Sequence, residues 1–296
     1  MLGLEIRDAL VTAVAVDDHG QVLARAAVEP ATDIGAAALK ALDDVADKSE
    51  DPVSLGVAAV NPDSSSVSVV EKALAPRYGS TFLKKGATAS GTAAAVAEAW
   101  VGASQKAGDS VFFAAADHAT AGIVRNGAPI VGAHRHAVLV AWLALNPVER
   151  EDYRKIGCLE AEVAAAGIVR RLVWRVKAGD HSTVADAAGG NLSAVTVGQI
   201  LDAARQHDGV AISVVRETAK YLAMAAANLV AITDPDMLVL GGIMATAADL
   251  LLEPVHTELT RRLPKGMMDA LTVVPAALGP DAAAIGAARL AANPLS

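Results

Sequence analysis

The sequence predicts an α/β chain with two domains of repeated topology. Three observations predict it. Short apolar runs of strand length open each half in threes, helical and strand patterns alternate after each set, and 296 residues suffice for two modest domains with a sizeable core.

In the first half, Leu2 to Ile6 and Leu10 to Asp17 have strand length and composition, separated by a corner at Arg7-Asp8-Ala9. Asp18-His19-Gly20 is a turn, and Val22 to Val28 returns as a third strand. Asp33 to Lys48 carries apolar residues at helical spacing, with Asp33 as its cap. Pro52 to Val60 is a strand ended by the turn Asn61-Pro62-Asp63. Ala89 to Ala103 follows as an Ala-rich helix.

The second set begins at Ser110. Val111 to Ala116, Thr120 to Arg125 and Ala128 to Gly132 are its three strands, with Asn126-Gly127 as a two-residue hairpin signal. Helices are predicted over Leu159 to Val176, Val197 to Gln206, Val210 to Thr233, Leu250 to Arg262 and Ala282 to Ala292. Met237 to Leu240 and Leu271 to Pro275 are strands between them. The domains are expected at 1–105 plus 280–296 and at 106–279, divided near Ser104 to Gly108.

Composition excludes several classes. The 53% hydrophobic content rests on Ala and Val, and the longest uncharged run, near Ala137 to Leu145, is far below the ~20 residues of a spanning helix. No basic-then-apolar leader pattern is visible, so the expectation is a cytoplasmic protein without membrane contact. Net charge −8 and 3% aromatic residues give no nucleic-acid footprint. Arg170-Arg171 and Arg261-Arg262 are read as solvated helix faces. One cysteine, Cys158, excludes an internal disulfide.

Several stretches then stand out together: Gly157-Cys158-Leu159-Glu160-Ala161, Ala166-Gly167-Ile168-Val169-Arg170-Arg171, Met237-Leu238-Val239-Leu240-Gly241-Gly242, and the ending Leu278-Gly279 to Gly286-Ala287-Ala288. In this order, over nearly the whole chain, they resemble the ROK family of bacterial sugar kinases and sugar-responsive repressors. The resemblance implies an actin-like, ribonuclease H-like pair of domains with a central interdomain cleft. It also implies ATP, magnesium, a structural zinc and a sugar ligand.

The positions that would carry this chemistry depart from the family pattern. The family's opening Asp-x-Gly-Gly-Thr is matched here by Glu5, Arg7, Asp8 and Ala9. Its glycines let backbone approach phosphate. Glu5 keeps a carboxylate able to hold magnesium or water. Arg7 either pairs with phosphate or, the preferred reading, with Asp8 or solvent. The general-base Asp of Asn-Asp-Ala-Asn is matched by Ser90, which cannot take a proton near pH 7 without a base of its own and is read as a helix cap. The second phosphate loop is matched by Ala116-Asp117-His118-Ala119-Thr120-Ala121-Gly122, where Asp117 repels phosphate. In Gly-x-x-Gly-Glu-x-Gly-His the family's Glu and His fall on Leu139 and Trp142, and the segment between Asp63 and Tyr78 looks trimmed. Glu160 alone of the sugar contacts matches. The three zinc cysteines fall on Glu151, Tyr153 and Cys158, leaving one thiolate. His134 and His136, with Cys158 or Glu151, form the alternative metal set; two exposed loop histidines are the preferred reading.

The expectation is therefore a catalytically degenerate ROK-like protein that senses an effector or acts as a scaffold. It should be a homodimer through its second domain, with no resident cofactor or metal and no nucleic acid bound by itself. Candidate ligand contacts are Glu5, Arg7, Ser90, His136 and Glu160, with a nucleotide vestige at Asp117, His118, Gly241 and Gly242. Two alternatives remain open. One is an ATP-dependent sugar kinase with a rearranged site. The other is a ROK-type regulator working with a separate DNA-binding protein, since Leu2 already begins the first strand.

Overall fold

The computed structural model describes residues 1–30, 32–48, 54–82 and 86–293. The strands are β1 (Leu2–Ile6), β2 (Val11–Val16), β3 (Val22–Val28), β4 (Leu55–Ala59), β5 (Thr88–Ala89), β6 (Asp109–Ala115), β7 (Ala119–Arg125), β8 (Ala128–Pro129), β9 (Met237–Gly242) and β10 (Thr272–Pro275). The helices of the first half are α1 (Ile34–Ala46), α2 (Ser65–Phe82) and α3 (Ser90–Val101). Those of the second are α4 (Glu151–Ile156), α5 (Cys158–Val163), α6 (Ala165–Lys177), α7 (Thr183–Ala187), α8 (Val197–Arg205), α9 (Gly209–Thr233), α10 (Ile243–Thr246), α11 (Ala248–Arg262), α12 (Lys265–Ala270) and α13 (Ala282–Ala292).

Two sheets carry the same plan. One has the order β3-β2-β1-β4-β5 and the other β10-β9-β6-β7-β8. In the first, β1 runs antiparallel to β2 and parallel to β4, with Glu5 opposite both Thr12 and Ala58. In the second, β9 and β10 are parallel and β7 and β8 antiparallel. Both faces of β1 and β2 are covered, so every residue in them is buried and, apart from Glu5 and Thr12, the strands read as apolar runs. Contacts gather the chain into two compact units. The first comprises Met1–Phe112, Ala121–Val138 and Ala276–Ser296, and the second Phe113–Thr120 and Leu139–Pro275.

The predicted turns form for the expected reasons. Asp33 caps α1 by accepting from the N–H groups of Gly35 and Ala36. Asn126 and Gly127 both take positive φ, 49° and 77°, as a two-residue hairpin with this twist requires. Small residues set the packing of α13. A Cβ on Gly286 would lie 1.7 Å from the Ala93 carbonyl oxygen, so α13 and α3 meet at backbone distance. This is where the Ala-rich composition is used.

The structure also corrects four readings. α2 occupies a segment with no predicted helix. Pro76 interrupts its hydrogen bonding and Gly79 (φ 68°) kinks it, which obscures the period. Leu159 to Val176 is two helices, because Ala164 is extended (ψ 160°) between α5 and α6. Arg171 is not on a solvated face: it is 6% exposed and paired inside the second unit. Ser90 does not cap α3. It lies within the first turn, and Ala89 holds the cap position without a side-chain bond. Pro52 and Val53, the predicted start of β4, lie outside the described residues, as do 294–296.

Candidate functional site

In the first unit the structure brings Glu5, Arg7 and Ser90 together. β1 carries Glu5 to the sheet end, buried to 5% exposure. Arg7 turns back so that its Nε lies 3.4 Å from Glu5 Oε2, and its Nη2 donates to Thr12 Oγ1 at 3.3 Å. Thr12 is the one hydroxyl in the otherwise apolar β2, directly opposite Glu5 in register, and sequence reading passed over it. The strand pairing alone, with its tight corner, would have placed it there. Burial pushes the Glu5 carboxyl above the usual carboxylate range, with Asp281 adding to this; Arg7 and the nearby Ser90 hydroxyl oppose the shift. Ser90 itself is 4% exposed, and its Oγ has no hydrogen bond of normal geometry. A buried hydroxyl without a hydrogen-bond partner is an unusual, costly arrangement.

The β1–β2 corner is closed on itself. The Arg7 N–H donates to the Leu10 carbonyl at 3.0 Å, and neither Asp8 nor Ala9 has positive φ. A turn of this shape needs no glycine. Its Arg7 N–H is already used, and the Asp8 carboxylate stands exposed at its tip.

Two other first-unit features bear on the sugar-side loop. His136 is more than half exposed and sits 3.5 Å from Asp63. Arg135 (φ 61°) and Val138 (φ 63°) take the left-handed conformation. Counting back from Leu139 in Gly-x-x-Gly-Glu-x-Gly-His, these are the two glycine positions. The glycine backbone is thus kept by residues that favour it poorly.

In the second unit, Glu160 does not stand free. Its Oε1 is 3.1 Å from His118 Nδ1, and its Oε2 accepts from the Ala119 N–H at 3.1 Å. The Ala116 N–H donates to the His118 carbonyl at 3.0 Å. The second phosphate-loop position is therefore a tight turn held by Glu160, with Asp117 exposed outside it. Gly242 (φ 61°) keeps a family feature: a Cβ there would lie 2.0 Å from the Ala115 carbonyl oxygen, so only glycine ends β9 this close to β6. Gly241 precedes it as the last buried residue of that strand.

The zinc positions are rebuilt. Glu151 is exposed and pairs with Lys155 at 2.7 Å. Tyr153 is buried and its hydroxyl donates to Glu162 Oε1 at 2.6 Å. Cys158 is buried beside Tyr153, Ala161 and Leu145. Glu162, at 3% exposure, also accepts from Arg150 at 3.0 Å and from Arg171 at 2.9 Å. Arg171 reaches on to Thr218, and Arg150 lies over the rings of Tyr153 and Trp174 at 4.9 and 5.1 Å. His134 and His136 belong to the first unit, and Glu151 and Cys158 to the second. Among the described residues no group of three or more His, Cys, Asp or Glu is placed to hold a metal ion. Of the three zinc positions only Cys158 keeps a thiolate; a tyrosine hydroxyl bound to Glu162 and an exposed carboxylate paired with Lys155 do not make up a set for zinc, which takes thiolate, imidazole or free carboxylate.

The phosphate-binding residues do not suit a nucleotide triphosphate either. At the two family phosphate turns, the N–H groups of Arg7, Ala116 and Ala119 are all used within the protein. Asp8 and Asp117 present negative charge at the same turns. Arg7 is held by Glu5 and Thr12.

Comparison with known proteins agrees with this frame. The chain is 31% identical over 198 residues to a glucokinase of Halalkalibacterium halodurans, covering 65% of this chain and 59% of that protein. It is 28% identical over 197 residues to the DNA-binding transcriptional dual regulator NagC of Escherichia coli, covering 66% and 47%. The matched segment thus spans about half the length of these curated relatives. A ROK family glucokinase from Streptomyces griseus, solved with glucose and AMPPNP, superposes with a TM-score of 0.80 at 22% identity, over 99% of each chain. That likeness establishes the actin-like fold. Among the described residues no helix is long and apolar enough to cross a membrane. The ROK family pattern matches residues 1–293, and the chain belongs to the ROK family.

Proposed function

We propose that this ROK protein binds a sugar-like effector without transferring phosphate to it, and acts as a sensor or scaffold. The observation that carries this reading is the closure of both phosphate turns. Phosphoryl transfer depends on positioning the phosphates and neutralising their charge. Here the backbone donors of Arg7, Ala116 and Ala119 are engaged internally, and Asp8 and Asp117 add charge of the wrong sign. A like-charge contact at ~4 Å costs about 4 kcal/mol at an effective dielectric of ~20, before salt screening. Loss of a positioned base at Ser90 costs a further ~10²–10⁴ in rate. These losses are independent, so Ser90→Asp alone should stay inactive.

Glu5 and Ser90 remain as buried polar groups beside Arg7 and Thr12, which supports retention of a ligand contact. The kinase reading draws on the same pair: burial raises the proton affinity of Glu5, as a general base needs. A coupled ADP-release assay with glucose, mannose, N-acetylglucosamine, N-acetylmannosamine and fructose separates the two. Background turnover is expected. Turnover above ~1 s⁻¹ that vanishes in Glu5→Ala would establish the kinase instead.

The protein is further proposed to be a homodimer. Trp142 and Leu139 are 55% and 42% exposed on the apolar run after the altered loop, as an interface residue would be in one chain alone. Light scattering should give about twice the 30.0 kDa chain mass; a particle of one chain at micromolar concentration would count against it.

A further inference from the structure

Arg216 is the single arginine of the described chain with no ion pair, hydrogen bond or ring contact. Each of the other fourteen has one, on a chain with net charge −8. Four residues on, Lys220 is also without a partner. The two stand on one face of α9 as a like-charge pair, an arrangement that weakens a helix unless something answers it.

Both line one groove of the second unit, about 580 Å³, within the range of small-molecule sites. Arg262, at the last turn of α11, enters the same groove, tied to Glu258 at 3.1 Å. Apolar surface in the same lining comes from Ile212, Met224 and the ring of Tyr221. Glu217 contributes one opposing carboxylate, so three cations face one acid that none of them engages. Cations and apolar side chains lining one groove match an anion with a small apolar body. Guanidinium and ammonium groups a helical turn apart suit the several oxygens of a phosphate better than the two of a carboxylate.

We propose that this groove binds a small organic phosphate monoester through Arg216, Lys220 and Arg262. The site lies wholly in the second unit and does not depend on the effector reading of Glu5 and Ser90.

The test is calorimetric titration of the intact protein with phenyl phosphate, with inorganic phosphate and phenol as separate probes. Phenyl phosphate should bind and weaken with added salt, as exposed charge pairs do. Inorganic phosphate should bind more weakly for want of the apolar contact, and phenol should not compete. Arg216→Glu should weaken phenyl phosphate roughly tenfold or more. Arg261→Glu, one position from Arg262 but outside the groove, should change it less than about twofold by screened long-range charge alone. Circular dichroism of both variants checks that they fold; Arg216→Ala replaces Arg216→Glu if that variant does not. Absence of phenyl phosphate binding to the wild-type protein, or equal loss in Arg216→Glu and Arg261→Glu, overturns the proposal.

Discussion

Val138 holds φ at 63° with a β-branched side chain, at a family glycine position. Such a residue costs about 1–2 kcal/mol in this region. Glycine would remove that strain and add about 0.4–1 kcal/mol of unfolded-state entropy. Val138→Gly is therefore expected to be neutral to stabilising, up to about 1 kcal/mol, by urea unfolding. A loss above ~1 kcal/mol would show that the valine side chain packs for more than its strain. Glu5 makes a second residue-scale case. Its folded pKa lies above the unfolded value, so the folded state holds its proton more tightly. Stability from this group is greatest below the unfolded carboxylate range and falls as pH rises through the folded pKa. Glu5→Gln should flatten that decline above the unfolded carboxylate range. A variant whose stability falls with pH as steeply as the wild type would assign the decline to other groups.

At the scale of elements, α4, α5 and α6 are joined by one buried carboxylate. Glu162 receives Tyr153, Arg150 and Arg171, and burial raises the Tyr153 hydroxyl pKa, with Glu162 adding to it. Burial also pulls the Arg171 guanidinium down, and Glu162 opposes this. Removing the carboxylate strands a buried cation, so Glu162→Ala should cost about 3–5 kcal/mol. Glu162→Ala combined with Arg171→Met should recover part of it, because no buried charge is then left alone. Denaturant midpoints of the two variants test this; a double variant no more stable than the single one would show that the pair was not the cause. The network thus ties α4 and α5, which carry the positions matched to the family's zinc cysteines, to α6.

At the scale of the whole molecule, the zinc reading becomes a direct expectation. Freshly purified, untagged protein should carry well under one zinc per chain, and chelator should leave the melting temperature unchanged. About one zinc per chain by elemental analysis would revive the set of His134, His136, Cys158 and Glu151. The family and the repeated sheet plan were legible because they rest on local patterns: two sets of three strand-length runs, the Asn126-Gly127 turn, and Gly241-Gly242 after an apolar strand. Helix α2 was not legible, since Pro76 and Gly79 break its period. Ser90 was given the wrong task, because capping depends on where the helix starts and α3 starts one residue earlier than a cap allows.

What the sequence determined by itself was the fold class and the family. Chain-local rules govern these: strand-length apolar runs, turn chemistry and helical spacing. Tertiary structure decided which partners the polar residues take. Glu160 pairs with His118 across 42 positions, Arg171 reaches Thr218 across 47, and Glu98 on α3 accepts the N–H groups of Ala277 and Leu278 from about 180 positions away. A side chain's partner in such cases is set by which strands and helices lie side by side. A buried charge then takes whatever complementary group the packing brings within about 3 Å, because leaving it unpaired costs several kcal/mol.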